Sequence, residues 1–151
     1  MRDRFTAELK HALKAGDKRR LGTIRRIQAA LKDKDIEARG AGKGQATDED
    51  ILALLQKMIK QRQESMAIYD QNGRPELAQA EREEAEIIKS FLPKQMNEAE
   101  TRAAVEASIA ETGAASMKDM GKVVGALRAK YAGRMDFGTA NGIVKDLLPK
   151  G

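Results

Sequence analysis

An all-α fold is predicted for this 151-residue chain by three observations. The composition is rich in Ala, Glu, Lys, Leu, Arg and Gln, the residues that lose least on entering a helix. Apolar residues recur at steps of three and four through long segments. No segment alternates apolar and polar residues with β-branched enrichment, as a half-buried strand would. Aromatics are only 3% and Trp is absent, so the core must be filled by Leu, Ile, Val, Met and Ala.

The elements follow in order. In RDRFTAELKHALKAG, Phe5, Leu9 and Leu13 stand at steps of four with Ala12 beside them, which predicts one apolar helical stripe. Gly16 and Asp17 break it, and Asp17 caps the next helix. That second helix runs from Lys18 to about Ala38, with Leu21, Ile24, Ile27 and Leu31 on one side. Arg19 and Arg26 flank this stripe on one edge, and Lys18, Arg25 and Lys32 form a row on the other. The glycine-rich stretch RGAGKGQATDED is read as a flexible connector ending in Thr47, an N-cap followed by three acidic residues that suit a helix start. Thr47 and Asp50 have the spacing of a capping box with Asp in place of Glu.

The third helix extends from about Asp48 to Asp70 with Ile51, Leu55, Met58, Ile59, Met66 and Tyr69 on its apolar face. Asn72-Gly73 stops it, and Pro75 starts a fourth, where proline is tolerated in the first turn. Leu77, Ala80, Ala85, Ile87, Ile88 and Phe91 are its expected buried positions, and Pro93 ends it. The short connection predicts a long helical hairpin. Asn97 then caps a helix ending at Gly113, Ser116 caps one running to about Tyr131, and Asp136 leads into a last helix ending near Leu148-Pro149. The chain thus reads as a four-helix N-terminal domain, residues 1–93, and a three-helix C-terminal domain, residues 94–151.

Net charge is +5, unevenly spread. Residues 1–46 hold 13 Lys and Arg against 6 Asp and Glu, a net of +7, and residues 47–93 a net of −4. A basic part beside an acidic one steers a polyanion toward one face, although solvated helices produce such runs too. The absence of cysteine removes disulfides, thiolate metal sites and cysteine nucleophiles. No signal-peptide core and no run near the roughly 20 apolar residues of a membrane span is present. The expectation is a cytoplasmic protein that makes no use of a membrane.

No catalytic constellation emerges, and no metal or cofactor is expected. His11 is the lone histidine. None of the serines lies in a nucleophile elbow, and GAGKGQAT lacks the spacing of a phosphate loop. The acidic run EREEAE, with Glu81, Glu84 and Glu86, is read as a solvated helix face.

One stretch carries a local puzzle. SMKDMGKVVGALRAKYAGRMD reads as a helix, yet glycines at 121 and 125 stand in its middle, where each costs about 1 kcal/mol relative to alanine. At about 100° per residue, Met120, Val124, Leu127 and Tyr131 make the buried side. Gly121, Gly125 and Ala129 form a small-residue row opposite, beside Lys118 and Lys122. Such a row admits either a nucleic-acid backbone, with the lysines on phosphates, or a closely packed helix. Exposed amides at Ser116 would favour an anion. Arg25 and Arg26 are further candidate RNA contacts.

Three stretches are more specific: RLGTIRRIQAALKDKDIE (20–37), KMIKQRQESMAIYDQNGRPELAQAEREEAEIIKSFLPKQMNEAE (57–100) and GAASMKDMGKVVGALRAKYAGRMD (113–136). On these the chain resembles the GatB/YqeY family, small stand-alone proteins similar to the tail domain of the GatB component of glutamine-dependent aspartyl/glutamyl-tRNA amidotransferase. The resemblance covers nearly the whole chain and implies a two-part helical fold and a role positioning tRNA. It also brings a family label, carbon–nitrogen ligase with glutamine as amido donor, that is inherited from the whole enzyme, whose catalytic body has no counterpart here. Three functions follow as expectations: a tRNA-associated accessory protein, an adaptor docking a translation-related enzyme through the acidic 48–91 hairpin, and an independent enzyme. The oligomeric state stays open.

Overall fold

The computed structural model describes residues 1–149. Among them are seven α-helices, one 3-10 turn and no strand, so the protein is all-α. The chain divides into two compact units, Met1–Leu92 and Pro93–Gly151.

The first unit contains α1 (Arg2–Ala15), α2 (Lys18–Gly40), α3 (Asp48–Gln71) and α4 (Pro75–Lys89). Gly16 ends α1 with φ 70°, a left-handed conformation that a side chain would strain. Asp17 then accepts from the Arg20 amide to start α2. Thr47 and Asp50 close a reciprocal capping box on α3. The core joins Phe5 and Ala12 of α1, Ile24, Ile27 and Leu31 of α2, five apolar residues of α3, and Ile88 and Phe91. Phe5 and Phe91 meet edge to face, ring centres 5.0 Å apart, and the Arg4 and Arg20 guanidinium groups stack over Phe91.

Three positions depart from the sequence reading. Leu13 is 62% exposed. Steps of four drift by about 40° each on a helix of 3.6 residues per turn, so the core line through Phe5 and Ala12 has rotated away by position 13. Leu77, at the start of α4, is 40% exposed, and the adjacent Ala78 is buried in its place. Glu84 is buried rather than solvated. It lies four residues before Ile88 and seven before Phe91, which puts it on the core-facing side of α4.

The glycine-rich connector is likewise more than a flexible link. Its Ala46 is buried, and the Ala46 amide donates to Asp35 Oδ1 at 2.9 Å. Arg2 donates to both Asp35 oxygens at 2.8 and 2.7 Å and to the Ala46 carbonyl. These bonds tie α1, α2 and the connector together. The Arg2 guanidinium, seconded by the Ala46 amide, holds the Asp35 carboxyl down from 3.8 to about 2. A carboxyl held low contributes stability that is complete above its ordinary value and is lost as pH falls through its depressed one. Asp35→Asn is therefore expected to lower the melting temperature at neutral pH, with the difference from wild type closing as pH falls from 3.8 toward about 2. Melting curves offset equally at every pH would contradict this.

The second unit contains α5 (Glu98–Thr112), a 3-10 turn (Met117–Asp119), α6 (Met120–Tyr131) and α7 (Phe137–Leu147). Asn97 and Glu100 form a capping box on α5, and Asp136 accepts from the Gly138 and Thr139 amides to cap α7. Val105, Val123, Leu127, Met135, Ile143 and Val144 lead its core. On α6 the buried pair is Val123 and Leu127, while Val124, expected inside, is only half-buried. Met120 and Tyr131 pack partly buried against the same cluster.

Candidate nucleic-acid interface

The α6 glycine row lies opposite the Val123–Leu127 core line. Gly121, Gly125 and Ala129 are all exposed. A Cβ placed on Gly121 or Gly125 would meet no atom within 4 Å. Among the described residues of the second unit, therefore, no neighbouring helix accounts for the missing side chains. The two glycines weaken α6 without a packing gain among the described residues of its own unit, and an open strip of backbone results.

Cations border the strip. Lys122 is exposed beside Gly121, and Lys118 is exposed one turn earlier; neither forms a salt bridge among the described residues. Lys118 stands on the 3-10 turn and not on the α-helix expected to begin at Ser116, so helical periodicity does not set its direction. Lys130 is different, because its ammonium pairs with Glu111 at 2.7 Å. Arg128 stacks over Phe137 at 5.5 Å.

The helix start does not offer the free amides expected there. The Met117 amide donates to the Pro149 carbonyl, Lys118 to Ser116 Oγ, Asp119 to the Ser116 carbonyl and Met120 to the Met117 carbonyl. Ser116 thus caps the turn itself. Asp119 accepts from the Ala115 amide, and that bond, helped by Ser116 and by the nearby Lys122 charge, holds its carboxyl below the usual range. The strip therefore rests on Lys118, Lys122, Gly121 and Gly125, with one fixed carboxylate at its start.

The α2 candidates separate. Arg25 is exposed and free of ion pairs among the described residues. Arg26, about 100° further round the helix, pairs with Glu84 of α4, which Arg62 of α3 also approaches at 3.5 Å. The sequence missed this carboxylate's role, although its register with Ile88 and Phe91 carried the signal.

His11 is exposed on α1. Among the described residues no cluster of His, Cys, Asp or Glu could hold a metal ion, and no helix is long and apolar enough to cross a membrane.

These features define a class: a small all-helical protein of two units whose distinctive surfaces are outward cationic helix faces. The chain belongs to the YqeY-like protein family, whose model matches residues 2–148. Curated relatives include proteins described as altered inheritance of mitochondria protein 41, mitochondrial. The one from Lachancea thermotolerans is 35% identical over 85 residues, 56% of this chain and 44% of that protein. The one from Clavispora lusitaniae is 34% identical over 85 residues, 56% of this chain and 47% of that protein. The chain thus matches less than half the length of either relative.

Proposed function

We propose that the protein is a tRNA-associated accessory factor that contacts the RNA backbone through α6 and contributes no catalytic group of its own. The observation carrying this reading is the open glycine row bordered by Lys118 and Lys122. Two costly glycines with no described residue of their own unit against them are accounted for by a partner that approaches the backbone closely. Two ammonium groups beside them, neither in a salt bridge among the described residues, suit a phosphate chain, which is bound through charge and without base reading. The carbon–nitrogen ligase label attached to this family fits the whole amidotransferase, and in this reading the chain serves such chemistry by holding RNA. The cytoplasmic setting is part of the same proposal for this chain.

Gly125→Leu tests the reading. Leucine has the higher helix propensity and its Cβ would meet no atom within 4 Å at this exposed position, so the melting temperature should hold or rise. Affinity for bulk tRNA should fall several-fold, because the side chain blocks close approach. A variant that binds tRNA like wild type would refute the contact.

A second reading has its own observation. Ile68 is 55% exposed and Leu77 40% exposed, on the two helices flanking the α3–α4 turn, within the acidic part of the chain. Exposed apolar residues of this kind suit an adaptor that docks a translation-related enzyme. Absence of tRNA binding at low salt would favour this reading over the first.

A further inference from the structure

The basic residues of α2 are sorted by partner. Arg19 pairs with Glu83 at 2.8 Å and Arg26 with Glu84, both on α4. Arg20 pairs with Glu8 on α1 at 2.9 Å. The three cations of the remaining face, Lys18, Arg25 and Lys32, are exposed and form no salt bridge among the described residues. They recur every seven residues, about 10.5 Å apart along the helix, and so stay within a narrow stripe. The stripe runs along one edge of the buried Ile24, Ile27 and Leu31 line, about 100° round the helix from Ile24 and Leu31 and, at Lys32, beside α1. Between the cations on the same side stand Gly22 and Ala29, both exposed, and a Cβ on Gly22 would meet no atom within 4 Å. Asp33 lies toward the glycine side of the stripe, and Asp35, which lines the same hollow as Lys32, is already held by both Arg2 nitrogens.

We infer that this outward stripe of α2 is a second RNA-backbone surface, carried by the first unit independently of α6. It rests on the RNA reading above and extends it: each unit presents its own row of small residues flanked by free cations. The sorting is what singles out the stripe. The acids of α1 and α4 neutralise the inward and lateral arginines, which leaves an uncompensated positive line about 21 Å long on one side only. A polyanion of regular charge spacing fits such a line, with the small residues letting its backbone approach. Two weak surfaces on one chain then reinforce one another, since engagement of the first raises the local concentration for the second.

The test titrates the full chain with bulk tRNA at two salt concentrations. It compares wild type, Lys18→Gln/Arg25→Gln/Lys32→Gln, and Arg19→Gln as a control on a paired cation. Glutamine keeps helix propensity near that of lysine and arginine, so the triple variant should retain its fold, checked by its melting temperature. The triple variant should bind at least tenfold more weakly at low salt, and its log–log salt slope should shrink by about 2.1–2.7, at roughly 0.7–0.9 for each of three lost phosphate contacts. Arg19→Gln should stay within about twofold. Triple-variant binding within twofold of wild type, with an unchanged slope, overturns the α2 surface while leaving the α6 contact intact. Loss of tRNA binding by wild type itself would overturn both. If the triple variant loses its fold, the single Arg25→Gln variant decides by its slope alone: a fall of about 0.7–0.9 supports the surface and an unchanged slope removes it.

Discussion

Glu84→Ala is expected to destabilise the first unit by about 3 kcal/mol, the lower end of what removing one partner of a buried ion pair costs. The Glu84 side chain is 12% exposed and that of Arg62 is 13% exposed. Arg62 Nε lies 3.5 Å from Glu84 Oε2, a charge contact too long and misaligned for a hydrogen bond, and Nε has no other partner. The guanidinium also donates to the Met58 carbonyl at 3.2 Å, which keeps it from complete isolation. Without Glu84, a positive charge stays buried between α3 and α4 with one neutral acceptor. Arg26→Ala is the internal comparison. Its side chain is 61% exposed, and Glu84 keeps Arg62, so the loss should be below about 1 kcal/mol. Denaturant unfolding of the two variants measures the contrast. Equal losses would show that Glu84 acts through Arg26 and not through the buried arginine.

Lys118→Glu/Lys122→Glu should weaken tRNA binding by tenfold or more and lower the salt slope by about two. Reversal removes two attractive charges and adds two repulsive ones beside the open glycines. Both lysines are exposed and free of salt bridges among the described residues, so the melting temperature should move little, and the fixed Asp119 carboxylate would repel the new glutamates. A variant that unfolds would show instead that these lysines hold the 3-10 turn and the start of α6 in place.

Helix identity was readable because caps and breakers are local chemistry. Thr47 with Asp50, Asn97 with Glu100, and Asp136 each start a helix in the structure as their side chains predict. Burial was readable to within one position of a face. Steps of four pointed to Leu13 and Val124, whereas the 3.6-residue turn brings Ala12 and Val123 inside. Glu84 was hidden because an acidic residue in an acidic run reads as solvated until its partners, Arg26 and Arg62, are known to come from other helices. The amides after Ser116 were misread for a related reason, since the Pro149 carbonyl that takes one of them lies far along the chain. The glycine row itself was visible in sequence; its openness required the fold. Arg25 and Arg26 adjoin in sequence but have opposite fates, and only the packing of α4 beside α2 separates them.

RNA binding through charge on open helix faces is the role we propose for this chain. Titration of the purified wild-type protein with bulk tRNA at low and at moderate salt tests it most directly. Saturable binding is expected at low salt, weakening steeply as salt rises, because each phosphate contact releases counterions. No binding at low salt, or binding that is indifferent to salt, would contradict it.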